Sequence, residues 1–235
     1  MSSVEANVWI VRPQKVRDDQ MRSIEALLDS SELERAAKFR FKDDRRAYVV
    51  AHGLRRIVLG ELLDVDPARL MISRRDSGQP HLIWPDGCEV YFSHSHTREL
   101  VAFAAGADPL GIDVECVNGA EYDFELLEPY LVLPPFDQRT AELGANLAGQ
   151  FLFYWTVLES FWKAEGKGLS TENPRIRCER NRKGIFEVTI EDESFGAQAQ
   201  VLATVARIEA PQGCVVSLAQ RPFQGTTRVG CLSCI

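Results

Sequence analysis

The residues Gly111–Glu115 have types and spacing that could carry chemistry. Successive side chains of a β-strand point to opposite faces, so Asp113 and Glu115 would share one face. Ile112 and Val114 would share the other. Two carboxylates on one face repel each other, and a hard divalent cation such as Mg²⁺ relieves that repulsion while keeping positions for water and phosphate oxygens. A half-exposed strand with solvated acids remains the alternative at this point.

The segment Phe151–Glu165 has the pattern of a helix that carries an acid and a base four residues apart. Glu159 and Lys163 therefore lie on one helix face, among many aromatic neighbours. The pair could be only a helix salt bridge, worth about a few tenths of a kcal/mol. The residues 166–168, Gly-Lys-Gly, then predict a flexible cationic turn after the helix.

Several polar side chains could bind a phosphate. In Ser93–His96, His94 could donate a hydrogen bond to a phosphate oxygen and the serine hydroxyls could add further donors. A histidine at a strand end is more often structural, so both interpretations of His94 stay open. An arginine-rich helical surface could also grip phosphate, although most of its members are expected to be solvated. Its residues are Arg40, Arg45, Arg46, Arg55 and Arg56.

The elements that must position these groups follow one order in each half of the chain. Ser31–Leu63 predicts a helix, a polar break and a longer helix, and Asp76–Pro80 predicts a turn. Three strands of an antiparallel meander should follow, at Glu89–Ser93, Leu100–Ala105 and Leu110–Cys116.

In the second half, the helix is followed by predicted strands at Ile185–Ile190, Ala199–Ile208 and Cys214–Leu218. Val117–Asn146 should be a surface segment between the halves. We therefore expect an α+β fold of two similar lobes with pseudo-twofold symmetry, each with helices packed on a small antiparallel sheet. The lobes would span 1–110 and 111–235, with the active site in the groove between them.

Bulk properties favour an ordinary soluble globular protein. The 235 residues are 45% hydrophobic, and the net charge of −7 argues against general nucleic-acid binding. The start lacks the pattern of a signal peptide, and the longest apolar runs are too short for a membrane span, so a cytoplasmic location without membrane contact is expected. The six cysteines are expected to be free thiols; Cys231 and Cys234 form a CxxC, which is weak support for a metal site.

Taken together, the motifs resemble the larger, Sfp-type class of 4′-phosphopantetheinyl transferases. The resemblance rests on Phe92–Ser95, Gly111–Glu115 and Trp155–Leu169, in the family's order and with suitable spacing. It implies an enzyme that moves the phosphopantetheine arm of coenzyme A onto a serine of an apo acyl or peptidyl carrier protein. A monomer would suffice.

The resemblance also implies roles for particular residues. Asp113, Glu115 and Glu159 would bind Mg²⁺, and Glu159 would also be the catalytic base. Lys163 would be catalytic and would contact the coenzyme A phosphates. Cofactor contacts would come, besides Lys163, from Ser93, His94, Arg46 and Arg35.

The sequence departs from the family pattern at two positions near these motifs. Gln79 stands where the family's turn has a lysine, and Leu158 stands where many members have lysine. These departures favour an alternative, a non-catalytic coenzyme A or nucleotide-binding protein of the same fold. A metal-dependent phosphohydrolase is a second alternative from a different class.

Overall fold

The computed structural model describes residues 6–118, 122–143, 146–191, 202–221 and 228–230. The strands are β1 (Asn7–Val11), β2 (Met71–Arg74), β3 (Pro80–Trp84), β4 (Tyr91–His96), β5 (Val101–Gly106), β6 (Leu110–Cys116), β7 (Leu131–Val132), β8 (Ile176–Arg180), β9 (Phe186–Ile190), β10 (Ala203–Ile208), β11 (Cys214–Gln220) and β12 (Arg228–Gly230). The α-helices are α1 (Asp18–Glu25), α2 (Ser30–Ala37), α3 (Lys42–Leu63), α4 (Phe136–Leu143) and α5 (Leu147–Ala164), and short 3₁₀ turns span Pro13–Lys15, Pro67–Arg69 and Phe124–Leu126. These elements confirm the mixed α+β class.

The first half is built around helix α3 and a four-stranded sheet in the order β12-β1-β5-β4. The apolar residues of α3, such as Leu54 and Val58, share one buried cluster with Phe92 and Phe103 of the sheet. The helical break lies at residues 38–41, and the charged residues 42–46 form the first turns of α3. Strands β2 and β3 form a separate two-stranded hairpin, whose turn falls at the predicted position.

The second half is built around helix α5 and a six-stranded sheet in the order β6-β11-β10-β9-β8-β7. Helix α5 contributes Phe153, Val157 and Phe161 to a cluster closed by apolar residues of β8–β11. Within the described residues, no helix is both long and apolar enough to cross a membrane.

Strand β6 does not complete a meander with β4 and β5, and that part of the prediction is wrong. It pairs antiparallel with β11, from Leu110 opposite Gln220 to Cys116 opposite Cys214. The reason is its apolar face: Ile112 and Val114 are needed in a third buried cluster between the two sheets, together with Ala102 and Val216. Strand β6 therefore carries the chain from the first sheet into the second.

One further expectation is corrected by the structure. Cys116 and Cys214, which face each other in the β6–β11 ladder, form a disulfide instead of remaining free thiols. Cys88 and Cys178 are free, and Cys231 and Cys234 lie outside the described residues.

Gly111 allows β6 to lie directly against α5. An ideal Cβ at this position would lie 2.5 Å from the backbone nitrogen of Ala164 and 2.8 Å from Cβ of Lys163. Backbone atoms cannot move away as a flexible side chain can, so a methyl group here forces strand and helix apart. The glycine thus fixes how closely Lys163 approaches the acids of β6.

We predict that Gly111→Ala destabilises the protein by at least about 1–3 kcal/mol, the usual penalty of overpacking. Urea unfolding measures the change. Gly168→Ala is the matched control, since a Cβ there would meet nothing within 4 Å. Equal stability of the two variants would show that β6 and α5 can separate without loss.

Candidate active site

A cleft of about 250 Å³ lies where the β2–β3 hairpin, strand β4 and the end of α5 meet. Ser93 and His94 line it from the first half of the chain, and Glu159 and Lys163 from the second. The structure therefore brings together the motifs that the sequence places far apart.

Asp113 is held at the edge of this cleft by two donors. Lys163 Nζ lies 2.6 Å from Asp113 Oδ1, and the Ser95 hydroxyl donates to the same oxygen at 2.8 Å. The other oxygen, Oδ2, is buried and has no hydrogen-bond partner among the described residues. Asp113 is only 3% exposed, so this carboxylate is largely removed from water.

Glu115 and Glu159 complete a group of acids around Lys163. Glu159 Oε2 lies 4.0 Å from Lys163 Nζ, at the limit of an ion pair. Burial and the neighbouring Asp113 raise the pKa of Glu115 to about 7, although Lys163 opposes this shift. Burial, followed by the charge of Asp113, also raises the pKa of Glu159. One ammonium group does not neutralise this set of carboxylates.

The donor chemistry fits a divalent cation, but the present side-chain geometry is not that of a formed metal site. Across the described ranges, no group of three or more His, Cys, Asp or Glu side chains is arranged so that it could hold a metal ion. Two observations fit a cation nonetheless: the unpartnered buried Oδ2 of Asp113, and the raised pKa of Glu115. Ligation by all three acids would require the side chains of Glu115 and Glu159 to turn.

The two faces of strand β4 serve different neighbours. Ser93 and Ser95 face β6, where the Ser93 hydroxyl accepts a hydrogen bond from Ile112 N at 3.2 Å. His94 and His96 face helix α3, and the His94 ring lies 5.3 Å from the ring of His52. His96 belongs to the strand rather than to the turn.

His94 is a neutral donor or acceptor in this environment. Burial and the charge of Arg55 hold its pKa well below the ordinary value of histidine. Its Nδ1 atom is buried without a hydrogen-bond partner among the described residues. Such an atom costs free energy unless a ligand or a water satisfies it, which is consistent with a ligand-binding role.

A second chamber of about 320 Å³ lies between α2, α3 and the β2–β3 hairpin. Arg35, Tyr48 and Arg55 line it, and Arg74 and Pro80 of the hairpin line both this chamber and the cleft. Arg55 is buried, and its Nε has no hydrogen-bond partner in the described part of the chain. The chamber therefore offers guanidinium donors, the groups best suited to phosphate.

Glu32 anchors the wall of the second chamber. It is 5% exposed and contacts His52 Nδ1 at 2.9 Å, Arg56 Nε at 2.7 Å and the Arg55 guanidinium. Burial alone would raise the pKa of Glu32, but the His52 hydrogen bond and the charges of both arginines lower it to about 2. Burial lowers the pKa of His52 to about 4, so this histidine is neutral at pH 7.

The arginine-rich surface is only partly solvated: Arg40 is exposed, and Arg45 and Arg46 are partly exposed, but the other two members are buried. Arg55 is 4% exposed and Arg56 is fully buried. Arg56 also donates to Asp29 Oδ2 at 2.6 Å and to the Leu70 carbonyl at 2.9 Å, so it stabilises the packing of α2 against α3.

Of the predicted phosphate contacts, Arg46 is the one that the structure brings neither to the cleft nor to the second chamber. Its Nε donates to the Pro13 carbonyl at 2.8 Å, and the same guanidinium donates to the Val16 carbonyl. Arg46 therefore ties the turn at 13–15 to helix α3. The residues that line the cleft and the second chamber do not include it.

The end of α5 has the predicted cationic turn. Gly166 has φ +69°, and Lys167 N donates to the Trp162 carbonyl at 2.8 Å, the pattern of a Schellman motif. Lys167 lines the cleft, with its Nζ 5.8 Å from the Trp162 ring centroid.

The two departures from the family pattern occupy different environments. Gln79 lines the cleft, and its Nε2 donates to the Lys163 carbonyl at 3.4 Å. Leu158 is fully buried in the core beneath α5. The substitution at 158 thus faces the hydrophobic core, and only the one at 79 alters the cleft.

Sequence reasoning missed Glu32 and Arg74 as site residues, and it treated Ser95 only as a possible phosphate donor. Ser95 could have been found, because strand alternation places it on the same face as Ser93. Glu32 and Arg74 carry no motif signal. Their importance comes from helix packing and from the hairpin, which the sequence pattern leaves undefined.

Comparison with known proteins identifies the family of the chain. Residues 14–108 match the family model described as 4′-phosphopantetheinyl transferase, N-terminal, and residues 109–214 match that of the 4′-phosphopantetheinyl transferase superfamily. The 4′-phosphopantetheinyl transferase HetI of Nostoc sp. is 30% identical over 72% of this chain and 71% of its own length.

Two further relatives carry similar names. A phosphopantetheinyl transferase of Thraustochytrium sp. is 29% identical over 72% of this chain and 62% of its own length. The 4′-phosphopantetheinyl transferase Sfp of Bacillus subtilis is 22% identical over 79% of this chain and 80% of its own length.

Fold, cleft and relatives together define an enzyme of the transferase class. The chain belongs to the 4′-phosphopantetheinyl transferase superfamily.

We predict that Glu32→Gln destabilises the protein by about 3–5 kcal/mol at pH 7, because it leaves buried arginines without their counter-charge. The folded pKa of Glu32, about 2, lies below the unfolded value of 4.5, so its stabilisation is present above pH 4.5 and is lost as pH falls toward 2. The shift corresponds to on the order of 3 kcal/mol. Urea unfolding at pH 7 and pH 3 measures the free energy of unfolding. The difference between wild type and variant should be smaller at pH 3 than at pH 7.

Glu25→Gln is the control for that experiment. Glu25 pairs with Arg45 between α1 and α3, but both side chains are about one-third exposed, so its loss should cost under about 1 kcal/mol. If the two variants lose the same free energy of unfolding, burial of the Glu32 network adds nothing to stability.

Proposed function

We propose that the protein transfers the 4′-phosphopantetheine group of coenzyme A to a serine of an apo acyl or peptidyl carrier protein, with Mg²⁺ and with release of 3′,5′-ADP. The observation that carries the proposal is the meeting of Asp113, Glu159 and Lys163 beside a cleft that opens toward a chamber lined by arginines. Membership of the superfamily supports the reaction class.

Coenzyme A carries two kinds of phosphate, and the two cavities fit one each. The cleft, with Lys163, would hold the pyrophosphate. The second chamber, with Arg35, Arg55 and Arg74, would hold the 3′-phosphate, a dianion near pH 7 that suits guanidinium donors. The hairpin residues shared by the two cavities would lie along the nucleotide between them.

The metal would be held by Asp113, Glu115 and Glu159, and when bound it would neutralise charge that develops on the pyrophosphate. Lys163 would stabilise the phosphate of the leaving 3′,5′-ADP. Ser93 and His94 would fix the nucleotide, and a role for Arg46 there would require it to leave its present carbonyl partners. These assignments follow the family resemblance.

In the reaction, the carrier serine Oγ would form a bond to the β-phosphorus, and the bond from that phosphorus to the oxygen of the leaving 3′,5′-ADP would break. A Glu159 carboxylate oxygen would take the serine proton. Burial and Asp113 raise the pKa of Glu159, which makes it a stronger base than an exposed glutamate. The protein contributes positioning and charge rather than covalent catalysis.

We also propose that the halves 1–110 and 111–235 are two lobes related by a pseudo-twofold axis. The repeated order of helix and strands supports this, as does the junction of the two family models at residues 108 and 109. Strand β12, however, comes from the second half and joins the first sheet beside β1. One chain contains every proposed site residue, so a monomer is sufficient. We propose a cytoplasmic location for the protein.

A mass assay tests the proposed reaction. Protein, coenzyme A, Mg²⁺ and an apo carrier protein are incubated, and intact-protein mass spectrometry should show the carrier gaining the phosphopantetheine arm. Asp113→Asn and Lys163→Ala should each lower kcat by about 10²-fold or more, because each removes charge complementarity at the reacting phosphate. Lys183→Ala, in the exposed β8–β9 turn, is the matched control and should be unaffected.

Two outcomes would favour the alternatives. Coenzyme A binding without any mass gain on a panel of carriers would identify a non-catalytic binding protein, the alternative that Gln79 favours. Release of a phosphate product without a carrier would identify a phosphohydrolase.

We predict that Arg35→Ala raises KM for coenzyme A by about tenfold or more, the usual loss for a hydrogen bond to a charged group, and leaves kcat unchanged. KM for 3′-dephospho-coenzyme A should not change, because that substrate lacks the phosphate placed in the second chamber. Arg22→Ala, on the exposed face of α1, controls for the loss of charge. Equal effects on both substrates would place the 3′-phosphate elsewhere.

A further inference from the structure

Asp113 is oriented by donors that use only one of its two carboxylate oxygens. Ser95 Oγ and Lys163 Nζ both donate to Oδ1, at 2.8 and 2.6 Å, while Oδ2 is buried and has no partner among the described residues. A buried carboxylate oxygen without a partner destabilises the folded protein, unless a cation binds it or a hydrogen-bond donor contacts it.

The two donors differ in rigidity. The Lys163 ammonium ends a flexible four-carbon stem and its side chain is 31% exposed. The Ser95 hydroxyl is one carbon from the backbone of β4, a strand held along its length by β5, with Ser95 opposite Ala102. Ser95 is therefore the donor that can fix the plane of the carboxylate.

The Ser95 contact also crosses between two sheets. Strand β4 belongs to the first sheet and β6 to the second, and they are not neighbours in any hydrogen-bonded ladder of the described residues. Two hydrogen bonds connect the facing strands here: Ser95 Oγ donates to Asp113 Oδ1, and Ile112 N donates to the Ser93 hydroxyl. Through them, the position of β4 sets the direction of the Asp113 side chain.

We propose that Ser95 is a positioning residue that turns Oδ2 of Asp113 toward the divalent cation. The proposal rests on the metal-dependent reaction proposed above. Outer partners that orient a ligating carboxylate contribute about 10–100-fold to metal affinity in other proteins, because they remove the freedom that the ligand would lose on binding. Ser95 does not touch substrate, so its effect should appear in metal binding rather than in turnover at saturating metal.

Titration with Mn²⁺, followed by electron paramagnetic resonance of the free ion without coenzyme A, tests this directly. Ser95→Ala should raise the Kd for Mn²⁺ by about 10–100-fold. Ser95→Thr keeps the hydroxyl and suits a strand, so it should return the Kd to within a few fold of wild type. In the transfer assay, Ser95→Ala should raise the Mg²⁺ concentration needed for half-maximal rate while kcat at saturating Mg²⁺ stays within about threefold.

Ser160→Ala is the matched control. Ser160 is a buried serine next to Glu159, but its hydroxyl donates to the Val157 carbonyl within α5 at 3.2 Å. Its loss should leave the Mn²⁺ Kd unchanged, and circular dichroism verifies that every variant is folded.

The outcomes separate the two proposals. If wild type binds Mn²⁺ and Ser95→Ala binds it equally well, the role of Ser95 is overturned and the proposed function stands. If Ser95→Ala and Ser160→Ala weaken binding to the same degree, the effect is general destabilisation and the role of Ser95 is again overturned. If wild type binds no Mn²⁺ and transfers without a divalent ion, the metal assignment and the Ser95 proposal fall together.

Discussion

The candidate site depends on the direct contact between helix α5 and strand β6. Because residue 111 has no side chain, the strand lies against the backbone of the helix between Ser160 and Ala164. That contact places Lys163 within 2.6 Å of Asp113 and brings Glu159 and Glu115 around the same ammonium. A larger residue would separate helix from strand, and the acids and the lysine would no longer share one charge environment.

The same strand connects the two halves. Its apolar face closes the cluster between the two sheets, and its polar face carries the acids toward α5. The apolar and polar side chains of β6 alternate along one strand. The register that buries its apolar face in the inter-sheet core therefore also positions its acids in the site. The disulfide between Cys116 and Cys214 covalently ties the end of this strand to β11.

Charge is distributed differently in the two cavities. Around Lys163, carboxylates exceed cations, and buried acids acquire raised pKa values. In the second chamber, the hydrogen bond with His52 and the charges of Arg55 and Arg56 lower the pKa of Glu32, and the Arg55 guanidinium keeps a donor without a partner among the described residues. One cavity therefore favours a cation and the other an anion, the complement of a metal-bound pyrophosphate joined to a separate phosphate.

The sequence alone determined several of the local elements and predicted most of the candidate site residues. Alternation placed Asp113 and Glu115 on one face of β6, and helical spacing placed Glu159 beside Lys163, because each pattern reports only on neighbours along the chain. The sequence could not show that β6 pairs with β11, that Arg55 and Arg56 are buried, or that the Arg46 guanidinium donates to backbone carbonyls. Those features are long-range contacts, settled by which apolar faces must be buried together and which buried charges must then find partners.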